Sequence, residues 1–209
     1  MKNRPCSIAP FSMIMFAFVI LTSVGAHGQE SLEDIIERFN QYVAEGNYPK
    51  AIAELDWARR AIEKENNARI VTYFPEQLAG LVGDQVEHQQ VLGINTHTRR
   101  YEGSEGSMEV TLTYGENNGA YSALNQLAQM FGAEINAEPI RIDGRTATLV
   151  KSTNDGEALL TVKLESGAAL KMTDSSGNSE RLLQAAREFG IKNLDDYLGG
   201  HNPASKSSI

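Results

Sequence analysis

The residues able to do acid–base, nucleophilic or metal chemistry are few and scattered. There are four histidines: His27, His88, His97 and His201. His88 and His97 fall in or beside two short segments of weak strand character, Gln85–Val91 and His97–Glu102. Paired as a hairpin, those segments would bring two imidazoles to one face, the start of a zinc site with Glu87 or Glu102. Such a site needs three or four ligands, and no ligand spacing accompanies the pair. Surface histidines and no bound metal are therefore expected. The lone cysteine, Cys6, lies in the first segment, so a chain processed after it has neither a thiol nucleophile nor a disulfide. Gly103-Ser104-Glu105-Gly106 has the wrong spacing for a nucleophile elbow. The chain has no His-Glu-x-x-His and no glycine-rich phosphate or dinucleotide loop. Asp174–Glu180 is oxygen-rich but too short for a calcium loop, and it reads as a turn followed by a helix cap. The carboxylate pairs Glu33-Asp34 and Asp195-Asp196 fall on faces expected to be solvated. No cofactor is expected, and the chain does not read as an enzyme.

Recognition chemistry is concentrated at Trp57, the single tryptophan. A helix turns about 100° per residue. On a helix through this region, Ala51, Ile52, Leu55, Ala58 and Ile62 form one apolar side, expected to face a preceding helix. Trp57, Ala61, Ala68 and Val71 form a second stripe roughly opposite. A helix that is apolar on two sides has two things to contact. The second stripe either packs on the domain that follows or stays open, with Trp57 anchoring a partner.

The elements that position these residues follow in order. Ser31 with Asp34 forms a capping-box start. Leu32, Ile35, Ile36, Phe39, Tyr42 and Val43 recur at helical spacing up to Gly46-Asn47. Tyr48-Pro49 restarts the chain as a second helix reaching about Tyr73, where Pro75 stops it. Met108–Tyr114 alternates as a strand, with Met108, Val110, Leu112 and Tyr114 on one face. Ala120, Leu124, Leu127, Ala128 and Phe131 mark an amphipathic helix. Four strands then follow: Ile140–Ile142, Thr146–Lys151, Leu159–Leu164 and Ala168–Met172. Asp143-Gly144, Asn154-Asp155-Gly156 and Ser166-Gly167 supply their turns. Leu160, Val162, Leu170 and Met172 are expected on one buried face, covered by helices carrying Leu124 and Leu183. The last helix, capped by Asn178 or Ser179, carries Leu182, Leu183, Ala186 and Phe189, with a further turn at Leu194–Leu198. The fold class is α+β: an N-terminal αα-hairpin over 31–73, then a mostly antiparallel sheet packed against helices over 74–198. Residues 199–209 read as a tail.

The run Glu45-Gly46-Asn47-Tyr48-Pro49-Lys50-Ala51-Ile52, with Ala58 seven residues after Ala51, resembles the centre of a tetratricopeptide repeat. It occurs once, whereas solenoids need about three repeats. Phe74-Pro75 and Gly80 match loosely the Leu-Pro-x-x-x-x-Gly-Trp opening of a group of small secreted bacterial proteins of unassigned function, with Leu81 in place of the Trp. In that group one tetratricopeptide-like hairpin precedes an α/β domain, and by element order that domain is similar to the Mog1/PsbP-type fold. The resemblance implies an architecture and transfers no catalytic residue.

Composition narrows the function classes. The chain has 209 residues with a formal charge of −8. Lys2 and Arg4 precede the 14-residue apolar run Phe11–Val24, which is short of the roughly 20 residues a membrane span needs. Val24-Gly25-Ala26 offers small residues for cleavage after Ala26, and Ala26-His27-Gly28 is the fallback. A cleaved signal over 1–26 is expected, with an uncleaved anchor as the alternative. Cleavage takes the charge to −10, because the segment carries two bases and no acid. The remaining bases form no stripe, which argues against nucleic acid and anionic membrane surfaces. The whole reads as an exported, periplasmic or extracellular protein with no stable membrane insertion. It is expected to be a non-enzymatic binding or accessory protein working by surface recognition of a protein partner. A hydrolase with an unrecognised site and a homo-oligomeric structural protein are the alternatives.

Overall fold

A computed structural model describes residues 30–115, 137–151 and 155–200. The amphipathic segment expected around Leu124, the expected signal and the residues beyond Gly200 lie outside the described residues. The chain divides into two compact units, the first ending at Leu55 and the second beginning at Asp56. Helix α2 contributes to both.

The first unit holds α1 (Leu32–Ala44) and the start of α2 (Tyr48–Val71). Ser31 Oγ accepts from the Asp34 backbone N–H at 3.2 Å, the expected N-cap, and donates to the Asp34 carboxylate at 2.8 Å, so that carboxylate bonds the serine hydroxyl. Gly46 turns the chain with φ +71°. Ile35 and Ala51 are buried, and Arg38 bridges Glu30 and Glu54. Leu55 and Ile62, read from the sequence as facing the first helix, are instead 47% and 53% exposed. Of that side only the alanines, Ala51 and Ala58, are buried. Within the first unit Ala51 is the small residue that close helix approach accepts.

The second unit is built on nine antiparallel strands among the described residues. They are β1 (Gln77–Leu78), β2 (Leu81–Gly83), β3 (Glu87–Val91), β4 (Ile94–Gly103), β5 (Gly106–Gly115), β6 (Ala137–Ile142), β7 (Arg145–Val150), β8 (Ala158–Lys163) and β9 (Ala169–Asp174). Their order is β1-β2-β4-β5-β9-β8-β7-β6, with β3 beside β4 as well. Helix α3 (Ser179–Glu188) and helix α4 (Ile191–Leu198) follow, separated by Gly190 at φ +72°. The α+β class read from the sequence is the one observed.

The sheet has one dry face. Val110, Met172, Leu160 and Leu149 stand opposite one another across β5, β9, β8 and β7, and all are buried. Leu112, Leu170, Val162 and Ala147 repeat the pattern. The other face reads Thr111, Lys171, Thr161 and Thr148 across the same strands. That is the alternation a half-solvated antiparallel sheet requires. Helix α3 packs on β8 and β9 and buries Leu182, Ala185 and Ala186, with Leu183 half-buried.

Two buried ion pairs pin the last helices. Arg181 Nε donates to Asp174 Oδ2 at 2.6 Å, and Arg145 Nε donates to Asp195 Oδ2 at 2.5 Å. Asp195 also accepts from the Glu165 and Ser166 backbone N–H groups, both at 3.0 Å. It is therefore buried rather than solvated as its Asp-Asp spelling suggests: it holds the β8–β9 turn, which needs acceptors for its N–H groups.

Candidate functional site

The four residues singled out for partner binding, Trp57, Ala61, Ala68 and Val71, all lie on the part of α2 within the second unit. At 100° per residue they span an arc of roughly 80°. Trp57 is 56% exposed, Ala68 and Val71 are exposed, and Ala61 is half-buried. α2 meets the sheet through a different side. Ile70 is fully buried; Asn67 Oδ1 accepts from Tyr114 Oη at 3.1 Å, and Asn66 Oδ1 from Tyr197 Oη at 2.8 Å. Sequence pattern missed this side because it scores Asn as solvent-facing. Here the two asparagines satisfy tyrosine hydroxyls whose rings belong to the core. The Trp57 stripe is left at the flank. The Arg60 guanidinium lies 4.2 Å from the indole centroid, so the exposed ring carries a cation on its face.

The dry face changes character at β4. Opposite Leu112, Val110 and Met108 stand His97, Arg99 and Tyr101, a polar row continuing an apolar ladder. His97 and Tyr101 are both fully buried. Among the described residues, both His97 ring nitrogens, Arg99 Nε and the Tyr101 hydroxyl are buried without a hydrogen-bond partner. Burial pushes the His97 imidazole down to about 4, with the His88 charge adding to it. Burial likewise pushes the Tyr101 phenol up to about 12, against the opposing pull of the Arg99 charge. His97 is thus a neutral ring in a stack: His88 lies 4.5 Å away centroid to centroid, Tyr114 5.8 Å and Phe74 6.5 Å.

His88 and His97 do pair directly across β3 and β4, as the hairpin alternative would have it. The expectation that both are surface residues fails for His97. Its alternate position on β4 puts it on the core face, and the weak strand pattern of Gln85–Val91 hid the register. His88 Nε2 is 3.2 Å from Asn95 Oδ1. Among the described residues no three His, Cys, Asp or Glu side chains gather as a metal-holding group.

Arg99 reaches from the polar row to a cleft of about 460 Å³ beside the C-terminal end of α2. Its Nη1 donates to the Phe74 carbonyl at 2.8 Å and its Nη2 to the Gly83 carbonyl at 3.2 Å, while the guanidinium lies 5.6 Å from the Tyr101 ring. A Cβ on Gly83 would stand 2.3 Å from Arg99 Nε, so only glycine leaves room for this placement. Val71, Phe74, Pro75 and Val86 wall the cleft, and Glu76 and Asp84 add carboxylates. Phe74 is held edge-on by Phe189, with centroids 5.4 Å apart. The sequence signal for this site was faint: Arg99 is one of the bases that form no stripe, and Asp84 belongs to no motif.

Comparison with family models, with curated proteins and with solved structures finds no match for this chain. No helix among the described residues is long and apolar enough to cross a membrane.

Proposed function

We propose that this is an exported, non-enzymatic binding protein that recognises a protein partner through the Trp57 side of α2. The observation that carries the reading is an exposed tryptophan bearing a stacked arginine, on the side of α2 that does not meet the sheet. An indole with a cation over it offers a large rigid contact surface and a charge together, the combination enriched at binding hot spots. Ala61 and Ala68 leave shallow ground beside it, and Val71 extends it by a further turn. Export rests on residues 1–26 as a signal, and mass spectrometry of the exported protein should find a mature start near His27. The single tetratricopeptide-like hairpin belongs to the same proposal.

The binding test compares the protein with its Trp57→Ala variant as bait in an envelope fraction. A captured protein that is lost with Trp57→Ala, while unfolding stability stays within about 1 kcal/mol, supports the reading. An unchanged capture pattern overturns it. Fluorescence of the isolated monomer is the companion measurement, since Trp57 is the only tryptophan. Red-shifted emission open to aqueous quenchers is expected, and blue-shifted, quencher-resistant emission would show a covered ring.

A further inference from the structure

We infer that the cleft at Arg99 is a second binding site, for a small apolar zwitterion of the amino-acid class. Arg99 is half-buried and spends two donors on backbone carbonyls. Among the described residues it forms no ion pair with Glu76 or Asp84, although both line the same cleft. A guanidinium held this way presents its remaining N–H groups to a carboxylate. The two carboxylates of the lining then call for a cation on the same ligand. Asp84 uses one oxygen to accept the Arg100 backbone N–H at 3.2 Å and keeps the other. A ligand with a single charge of either sign would leave one partner facing its like; a zwitterion satisfies both.

The walls define the rest of the ligand. Val71, Pro75 and Val86 give an apolar side for a hydrocarbon or aromatic side chain, with Phe74 buried behind them. The volume of about 460 Å³ lies in the range of roughly 300–1,000 Å³ that small-ligand clefts occupy. The site is also built in advance. Arg99 is fixed by its two acceptors, by the Tyr101 ring and by the missing side chain at Gly83, and Phe74 by Phe189. Pre-organisation of this kind reduces the ordering cost of binding.

Calorimetric titration of the purified protein with L-leucine and L-phenylalanine tests this. Saturable one-to-one binding is expected, weaker by about tenfold or more for N-acetyl-L-leucine, which lacks the ammonium, and for L-leucinamide, which lacks the carboxylate. Asp84→Asn keeps the oxygen that accepts from Arg100 and removes the charge, and should weaken the free amino acid but not its N-acetyl form. Arg99→Gln should abolish binding of the free amino acid, and Asp84→Asn carries the test where Arg99→Gln fails to fold. Absence of saturation up to about 10 mM, or equal affinity for free and blocked forms, overturns the inference. The cleft shares Val71 with the Trp57 stripe, but Arg99 and Asp84 belong to the cleft alone, so their variants test it independently of Trp57→Ala.

Discussion

Asp174 and Arg181 form an ion pair that water does not reach. The Asp174 carboxylate is fully buried at the end of β9, and Arg181 bonds it from the first turn of α3 at 2.6 Å. The same carboxylate accepts from the Ser176 N–H and hydroxyl and from the Asn178 N–H. Burial alone would raise its pKa, but the bonds from Arg181, Ser176 and Asn178 outweigh it and hold the group below the ordinary 3.8. Its contribution to stability is therefore present above pH 3.8 and is lost as the pH falls through the lower folded value. Removing one partner of such a pair strands the other. Arg181→Met is expected to cost about 3–5 kcal/mol in denaturant unfolding, with acid unfolding beginning at a higher pH than in the parent protein. A loss below about 1 kcal/mol would mean that the serine and backbone donors suffice without the guanidinium.

His97 gives the same sense of linkage, higher on the pH scale. The folded state holds the imidazole near 4, whereas the unfolded chain takes up its proton near 6.5. Between those values the unfolded state binds more protons, so stability falls as the pH falls. The full effect is on the order of 3 kcal/mol, complete by about pH 4. His97→Phe keeps a ring beside Tyr114 and Phe74 and cannot titrate. It should flatten the stability profile between pH 6.5 and 4, and an unchanged profile would place the effect elsewhere.

The dry face makes a plain packing test. Leu160 is fully buried between Met172 and Leu149, and Thr161 points to the opposite face. Leu160→Ala should cost about 2–5 kcal/mol in denaturant unfolding. Thr161→Ala should stay near 0.5 kcal/mol, as for substitutions away from the core.

Gly83 is a steric test of the polar row. A methyl group there meets Arg99 Nε at 2.3 Å and Tyr101 Cε1 at 2.9 Å. The arginine has to leave the Tyr101 ring or the strand has to shift. Gly83→Ala is expected to cost about 1–3 kcal/mol by overpacking. Gly103→Ala meets a Leu81 methyl at 2.7 Å and serves as the comparison, since it crowds the sheet without touching Arg99. Equal losses of amino-acid binding in the two variants would show a general disturbance of the sheet.

Much of the fold was legible because the signals were local. Asp143 at φ +49° and Gly144 at φ +83° form the turn their spelling announces, and the strands from β6 to β9 end within about three residues of where alternation placed them. Met108, Val110 and Leu112 were readable for the same reason. The short strands β1 and β2 were not, because two- and three-residue pairings carry no periodicity. The sites were less legible still. Trp57 stands out by its rarity, but Asn66 and Asn67 face the core only because tyrosines far along the chain need acceptors. Arg99, Asp84 and Phe74 meet through a strand register that no single segment encodes. Asp195 is buried by the needs of a turn roughly thirty residues away, which its own neighbours do not announce.

The pairing of β5 with β9 also bears on how quickly this chain can reach its fold. β1 to β5 are joined by short turns, and β6 to β9 likewise, so each set can assemble from neighbours in sequence. The seam between them is different: Thr113 meets Ala169 and Met108 meets Asp174, about sixty residues apart along the chain. Closing a loop of that length is paid in entropy before any of its contacts form. Pairings of long sequence separation slow folding for the same reason. Until the seam closes, Val110 and Leu112 on one edge and Leu170 and Met172 on the other are left as bare strand edges. In that interval the newly made chain is most open to pairing with a neighbouring copy instead of with itself.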